Sequence, residues 1–476
     1  MTAPASLIIR SGRVIDPANN VDALMDVVVR SDKVADVVPC GEAAMLAADR
    51  VVDASGKYVL PGIIDLHVHL SSRYSGSVAQ KMLARAGVTT ALDMGAAPAD
   101  ALATAASYGA GLNVASLGGL VPAGNLPDRD PSRAAIRRVL DECLDGGSLG
   151  IKIHFDNKLT PTATQIAIDE ANSQRAWVAF HCGTTETASD ITGLREAVDL
   201  AGPNRLHLAH VNSYCRGNVM DPVVEAQECI SLLIRAPHLF SESYLASING
   251  TSARCAAGLP VVERVGMWLQ MGGFAPTQDG LRDAIMAGWA RIHRVIGDDT
   301  VLATGDDGVA TWLAAETNTG LSFAVNPTMP RLMLAAARDG SGRFVVDALG
   351  TDGGGIPRNV LLSYGLALVD IEVLSLADLV RKLAWTPARV IGLPAKGHLL
   401  PGVADADIAI VDPVERRATT TICGGRVVMH EGLVIGEGTT FLTTERGAAA
   451  VAASGCRPAV IDLSQSGFYT GDGLKA

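Results

Sequence analysis

Two histidines one residue apart, His67 and His69, close the apolar run Val59–Leu70, which Pro61 and Gly62 punctuate. If that run is a β-strand, side chains alternate with period two. Both imidazoles then point the same way, about 7 Å apart at the Cα, and can converge on one metal ion. Other residues of ligand type close other apolar runs. His181 ends Trp177–His181, His210 ends Leu206–His210, and Asp352 follows Val345–Thr351 and precedes three glycines. Lys152 lies inside Leu149–Phe155 between apolar neighbours. A buried lysine is costly unless it is paired or used chemically. As a neutral amine it can take up CO2 and become a carbamate, a carboxylate able to bridge two metals. Singly, each of these residues fits a structural role such as a bonded strand-end histidine or a turn-capping aspartate. Together, in order, they read as a metal site.

The elements that must position them alternate. Strand-like runs at 59–66, 87–93, 112–117, 149–155, 177–182, 206–211, 231–235 and 343–350 are separated by helical patterns such as 77–86, 131–144, 189–201 and 374–391. Eight strands alternating with helices predict a closed (β/α)8 barrel, whose chemistry sits at the C-terminal strand ends. A doubly wound sheet is the alternative, but no glycine-rich dinucleotide fingerprint follows an early strand. The stretch 240–340 is too long for one crossover and predicts a helical excursion over the barrel mouth. Short strands at 7–38 and again at 406–435 predict one small β-domain built from both chain ends. The division expected is residues 1–58 and 393–440 for the β-domain, 59–392 for the barrel and 441–476 for a C-terminal arm.

Composition narrows the function. The 476 residues are 48% hydrophobic but only 4% aromatic, as suits an α/β core, and the formal net charge of −11 argues against nucleic acid or anionic membrane as partners. Charges interrupt every long apolar run before membrane-spanning length, and the first residues lack the profile of a secretion signal. The eight cysteines are scattered without a Cys-x-x-Cys, which predicts reduced thiols in a cytoplasmic protein.

The chain resembles the amidohydrolase superfamily, and more closely its cyclic-amidase and D-aminoacylase-like branch of hydantoinases, dihydroorotases and enamidase. The resemblance rests on Pro61-Gly62-Ile63-Ile64-Asp65-Leu66-His67-Val68-His69, Gly87-Val88-Thr89-Thr90, Lys152, His181, His210 and Asp352. It extends to Thr386-Pro387-Ala388, Gly392-Leu393 and Gly397–Asp407, and so spans nearly the whole chain. It implies a TIM barrel with a small β-sandwich domain and two divalent metals, Zn2+ first, with Mn2+, Co2+ or Fe2+ as alternatives. His67, His69 and Asp352 would bind the more buried metal and His181 and His210 the other. Carbamylated Lys152 and a hydroxide would bridge the two. Asp352 would be catalytic, taking the proton of the attacking hydroxide and passing it to the leaving nitrogen.

The expected reaction is hydrolysis of a C–N bond in a cyclic amide, imide or ureide. The alternatives are an N-acyl-amino-acid deacylase or dipeptidase, and a non-catalytic dihydroorotase-like scaffold, which predicts lost ligands. Deaminase relatives hold one metal and lack the lysine. Asp306 is the lesser candidate for the catalytic acid. His154, Tyr214, Arg216 and Arg254 are the expected substrate contacts, Arg216 or Arg254 through a substrate carboxylate. His207, Cys182 and Cys215 read as structural. The partners expected are a small-molecule substrate and further copies of the chain in a homo-oligomer.

Overall fold

The computed structural model describes residues 5–71 and 75–475. Its centre is a closed parallel barrel. The strands are Ile63–His69, Val88–Met94, Ala110–Gly119, Gly150–His154, Trp177–His181, His207–Leu208 and Phe240–Tyr244, and an eighth in two pieces, Ala348–Gly350 and Gly353–Gly354. Each pairs in parallel with its neighbour. The first piece of the eighth strand pairs with the seventh, and the second piece pairs with the first strand, so the sheet returns on itself. At the break stands Asp352, in the left-handed region at φ 51. Its N–H donates to His67 O at 2.8 Å. Glycines let the closing strand come this near, because a Cβ on Gly354 would lie 2.5 Å from His69 O.

Helices wall the barrel. In Arg133–Asp145 the buried residues Ile136, Val139, Leu140 and Cys143 recur at helical spacing, and Ser132 caps the start by accepting from Ala135 N. Pro161 begins the next, behind the cap Thr160. The run 231–235, expected as the seventh strand, is instead the last turn of the helix Pro222–Arg235, with Ala226, Cys229, Leu232 and Leu233 buried along one face. The true seventh strand, Phe240–Tyr244, is wholly buried yet reads Phe-Ser-Glu-Ser-Tyr. Its polar side chains face neighbouring barrel elements, so no apolar run marks it.

After the seventh strand the chain makes its excursion. Besides the helices Glu263–Met271, Gln278–Met286 and Gly305–Ala314, the excursion contains a four-stranded antiparallel sheet, Asn249–Ser252, Gly320–Phe323, Ala290–Ile296 and Asp299–Ala303. It has its own core around Trp268, Leu281, Ile285, Trp312 and Phe323.

Both chain ends build one nine-stranded sheet, in which Leu60 pairs with Ala409. Within this domain Lys396 reaches Asp405 at 2.9 Å and Asp407 at 2.6 Å, and Asp407 ties it to the barrel by accepting from Asn113 of the third barrel strand at 3.0 Å. Beyond it, Gly438–Thr443 adds to the third barrel strand. The chain then passes beneath the barrel. Phe468 stacks on Trp177 at 4.3 Å, and buried Lys475 pairs with Asp347 at 2.7 Å. Among the described residues no helix is long and apolar enough to cross a membrane.

Candidate metal centre

The strand ends bring the candidate ligands together. Asp352 Oδ1 lies 2.8 Å from His69 Nε2 and 3.4 Å from His67 Nε2, and one donor atom from each of the three residues falls within 4.8 Å of the others. Alternation along Ile63–His69 does what the spacing requires and aims both imidazoles at the barrel axis. His210 stacks on His67 with ring centroids 5.0 Å apart, and its Nε2 is 3.9 Å from Asp352 Oδ2. The His181 ring is 4.4 Å from that of His210, and His154 is 4.3 Å from His181.

The second ring nitrogens are occupied, which orients the first. His67 Nδ1 donates to Glu242 Oε1 at 2.6 Å, His210 Nδ1 pairs with Ser213 Oγ at 2.8 Å, and His181 Nε2 pairs with Ser189 Oγ at 2.7 Å. That leaves Nε2 of His67 and His210 and Nδ1 of His181 for a metal. Burial lowers His67 to about 4 and holds His181 and His210 well below the usual imidazole value, so the rings are neutral, as ligands must be. Lys152 is fully buried, with Nζ against Met94 Sδ at 3.2 Å, and burial lowers it to about 8. Imidazole nitrogens, a carboxylate and a lysine on the verge of neutrality form a donor set suited to divalent metals of the zinc kind.

Two residues at the centre escaped the sequence reading. Glu242 Oε1 accepts from His67 Nδ1 and also from His210 N, each at 2.6 Å. Burial alone would raise this carboxyl, but His67, His207 and His210 outweigh it and hold it below the usual carboxylate range. Arg358 is 2% exposed and pairs with the Asp352 carboxylate, while its Nη1 donates to Asn249 Oδ1 at 3.1 Å. Burial raises the Asp352 carboxyl, yet Arg358 and the histidines bring it well below its ordinary value. The only advance sign of Glu242 was a glutamate in a short run between turns. For Arg358 there was none.

Two cavities reach the histidines. A compact chamber of about 60 Å3 is bounded by His67, His181, His210, Asp352, Arg358 and the strand Asn249–Ser252. A wider cleft of about 730 Å3 opens on Lys152, Met94 and His69. His69, His154, Asp156, Val262 and Arg264 line both.

Of the residues expected to meet substrate, His154 lines both cavities, whereas Tyr214, Arg216 and Arg254 line neither. The Tyr214 hydroxyl accepts from Cys182 N at 2.9 Å beneath the histidines. Arg216 is committed to Asn326, Ser213 O and the Tyr244 hydroxyl, and Arg254 is exposed on the excursion. Asp306 is also exposed, in the first turn of the helix Gly305–Ala314.

Comparison with known proteins matches residues 58–241 to the family described as "Amidohydrolase family". A dihydroorotase of Anaeromyxobacter dehalogenans is 27% identical across 90% of this chain and 98% of its own length. Among solved structures, an N-acyl-D-glutamate deacylase from Bordetella bronchiseptica, complexed with zinc and a phosphonate inhibitor, matches with a TM-score of 0.65. It is 16% identical and covers 92% of this chain and 99% of its own. A D-hydantoinase matches with a TM-score of 0.55 at 18% identity, over 92% and 98% of the two chains.

Proposed function

We propose that this chain is a carbon–nitrogen hydrolase of the amidohydrolase superfamily and that its substrate is a cyclic amide, imide or ureide. The observation that carries the reading is the convergence of Asp352 Oδ1 on His67 Nε2 and His69 Nε2, with His210 and Glu242 locked behind them. His67, His69 and Asp352 would hold one divalent metal, and His181 and His210 the other, with Lys152 between them. Zinc is the first candidate, and Mn2+, Co2+ or Fe2+ are compatible with the same ligands. Bound there, the metals would supply an acidified water and a polarised carbonyl.

The chain's own residues do the rest. Asp352 accepts the water's proton on its carboxylate and returns it to the leaving nitrogen. Arg358 holds Asp352 so that the carboxylate enters each turnover ionised. The Lys152 amine, lowered to about 8, forms an N–C bond to CO2 and releases one proton, giving a carbamate. His154 borders the substrate from the cleft side. The compact chamber suits a small ring and keeps bulk water from it. The dihydroorotase and hydantoinase relatives support ring opening. All eight cysteines are free and only Cys40 is exposed, which fits a reducing cytoplasm.

A second reading, an open-chain N-acyl-amino-acid deacylase, is favoured by the width of the cleft and by the deacylase relative. Metal analysis of the purified protein, followed by assay of hydantoins, dihydropyrimidines, lactams and N-acyl amino acids, separates the two. Hydrolysis of rings in preference to open chains is expected. Less than one metal per chain after expression in metal-supplemented medium, with no hydrolysis, would leave only a scaffold. A Lys152→Ala protein with two metals and full activity would sink the carbamate.

A further inference from the structure

Two routes of contact climb from beneath the barrel to Glu242, and both begin on the segment that follows Gly438–Thr443. The first is aromatic. Phe468 stacks on Trp177, the opening residue of the fifth strand, with centroids 4.3 Å apart and planes at 15°. Trp177 Nε1 donates to His207 Nδ1 at 3.4 Å. An indole only donates, so Nδ1 is the bare nitrogen and the imidazole proton sits on Nε2. That Nε2 is buried, has no hydrogen-bond partner among the described residues, and faces Glu242 Oε1 at 3.8 Å. Its N–H dipole therefore favours the carboxylate oxygen that accepts from His67 Nδ1 and His210 N. Without Phe468, Trp177 can tilt, and the other His207 tautomer would turn a lone pair toward the same oxygen.

The second route is ionic. Lys475 donates its backbone N–H to Asp347 Oδ1 and its ammonium to Asp347 Oδ2, each at 2.7 Å. The same Oδ2 accepts from Ser241 N at 2.9 Å and from Ser241 Oγ at 3.2 Å. Ser241 is the residue before Glu242, so the clamp sets the height of the seventh strand where the glutamate leaves it. Every side chain on both routes is buried, and removing one leaves a void that its neighbours shift to fill. Oε2 of Glu242 makes no hydrogen bond among the described residues, so its carboxylate has few other restraints against such a shift.

We propose that Phe468 and Lys475 are positioning residues for the metal centre: from beneath the barrel they set Glu242 and, through it, the His67 and His210 imidazoles. Neither residue lines the chamber or the cleft, so their effect on the centre passes through the barrel floor alone. The inference rests on the metal-centre reading above and adds to it a support on the opposite face of the barrel.

The full chain, stripped of metal, is titrated with zinc against a fluorescent chelator, and thermal unfolding of each metal-free variant is measured beside it. Phe468→Ala and Lys475→Met should each weaken zinc binding roughly threefold to thirtyfold. Phe468→Leu guards against a collapsed Phe468→Ala. It fills the space without a ring face for Trp177, and so should recover thermal stability but only part of the zinc affinity. In a Glu242→Gln background the Phe468→Ala effect on zinc should shrink, because the two act in one chain of contacts. Val451→Ala is the control: Val451 is buried in the same segment but packs at Gly147 and Leu102, so it should lower stability and leave zinc affinity alone. Unchanged zinc affinity in Phe468→Ala and Lys475→Met would overturn the proposal and leave the metal centre intact. An equal loss in Val451→Ala would also overturn it, as general loosening of the fold. Loss in only one of the two variants would strike the other residue from the proposal. A wild-type chain that binds no zinc would overturn both the proposal and the metal centre.

Discussion

Replacing Glu242 by alanine should disable both halves of the metal centre with one substitution. Its Oε1 accepts from His67 Nδ1 and from His210 N, each at 2.6 Å, so one atom steadies a proposed ligand of each metal. Alanine strands both donors in a fully buried site, at about 1–3 kcal/mol each, so roughly 2–6 kcal/mol of stability is at risk. Against this, the substitution removes a buried charge and its repulsion of neighbouring Asp65, so the lower half of that range is expected. Losing the carboxylate partner of a ligating histidine weakens metal affinity about 10- to 100-fold. Glutamine should be milder, because it keeps an acceptor oxygen for the same two donors. The assay is zinc content after dialysis against chelators of graded strength, alongside thermal unfolding of metal-free protein. Unchanged zinc retention in Glu242→Ala would refute the idea that one oxygen supports both ligands. So would loss of metal from only one half-site.

Further outcomes are expected elsewhere. Breaking the buried Arg358–Asp352 pair with Arg358→Met should cost about 3–5 kcal/mol, measured by urea unfolding, because Asp352 then keeps its charge in a buried site with histidines but no guanidinium beside it; a loss under 1 kcal/mol would contradict it. Removing Lys475 by Lys475→Ala should cost a similar amount through Asp347, and a chain ending before Gly467 should also bare Trp177 and bind a hydrophobic dye. Asp405 lies below its ordinary value: burial opposes this, but Lys396 and Lys33 prevail. A depressed folded value gives stability that is full above the unfolded value and is lost as pH falls through the folded one. Metal-free protein should therefore weaken below about pH 4, and Lys396→Met should flatten that acid dependence of unfolding, whereas an unaltered profile would exclude a stabilising Lys396–Asp405 pair. Chelator treatment should abolish hydrolysis and zinc should restore it; activity that survives metal removal would exclude the metal centre.

The candidate ligands that were legible in the sequence share a physical trait. His67, His69, His181 and Asp352 each follow an apolar run, so burial on both faces of a barrel strand announces the polar residue at its end. The seventh strand gave no such contrast. Ser241 bonds to Asp347, Tyr244 N to Asn212, and Glu242 Oε1 to two histidine donors, so polar residues stand where apolar ones would announce a strand, although Ser243 Oγ and Glu242 Oε2 find no partner among the described residues. The apolar run before it belonged to a helix whose buried face carried the same composition. Arg216 and Tyr214 were singled out by type and nearness to strand ends, but their polar atoms are already committed to Asn326, Tyr244 and Cys182. Arg264 and Arg358 reach the centre only through the path of the excursion and of the turn after Asp352, which residue spacing does not encode.

The barrel's seam also fixes when the centre can exist. His69 and Asp352 are 283 residues apart, and the closing strand that joins them is the last of the eight to be made. At about 5–20 residues per second, ribosomal synthesis separates the two ligands by roughly 15 to 60 seconds. Throughout that interval the emerging chain offers paired imidazoles without their carboxylate, and so without a full coordination set. If the centre holds a metal as proposed, its capture waits for completion of the ring, and a truncated or stalled chain has little with which to retain an ion. Loading would then be a proofreading step, in which a tightly held ion certifies that the chain has closed.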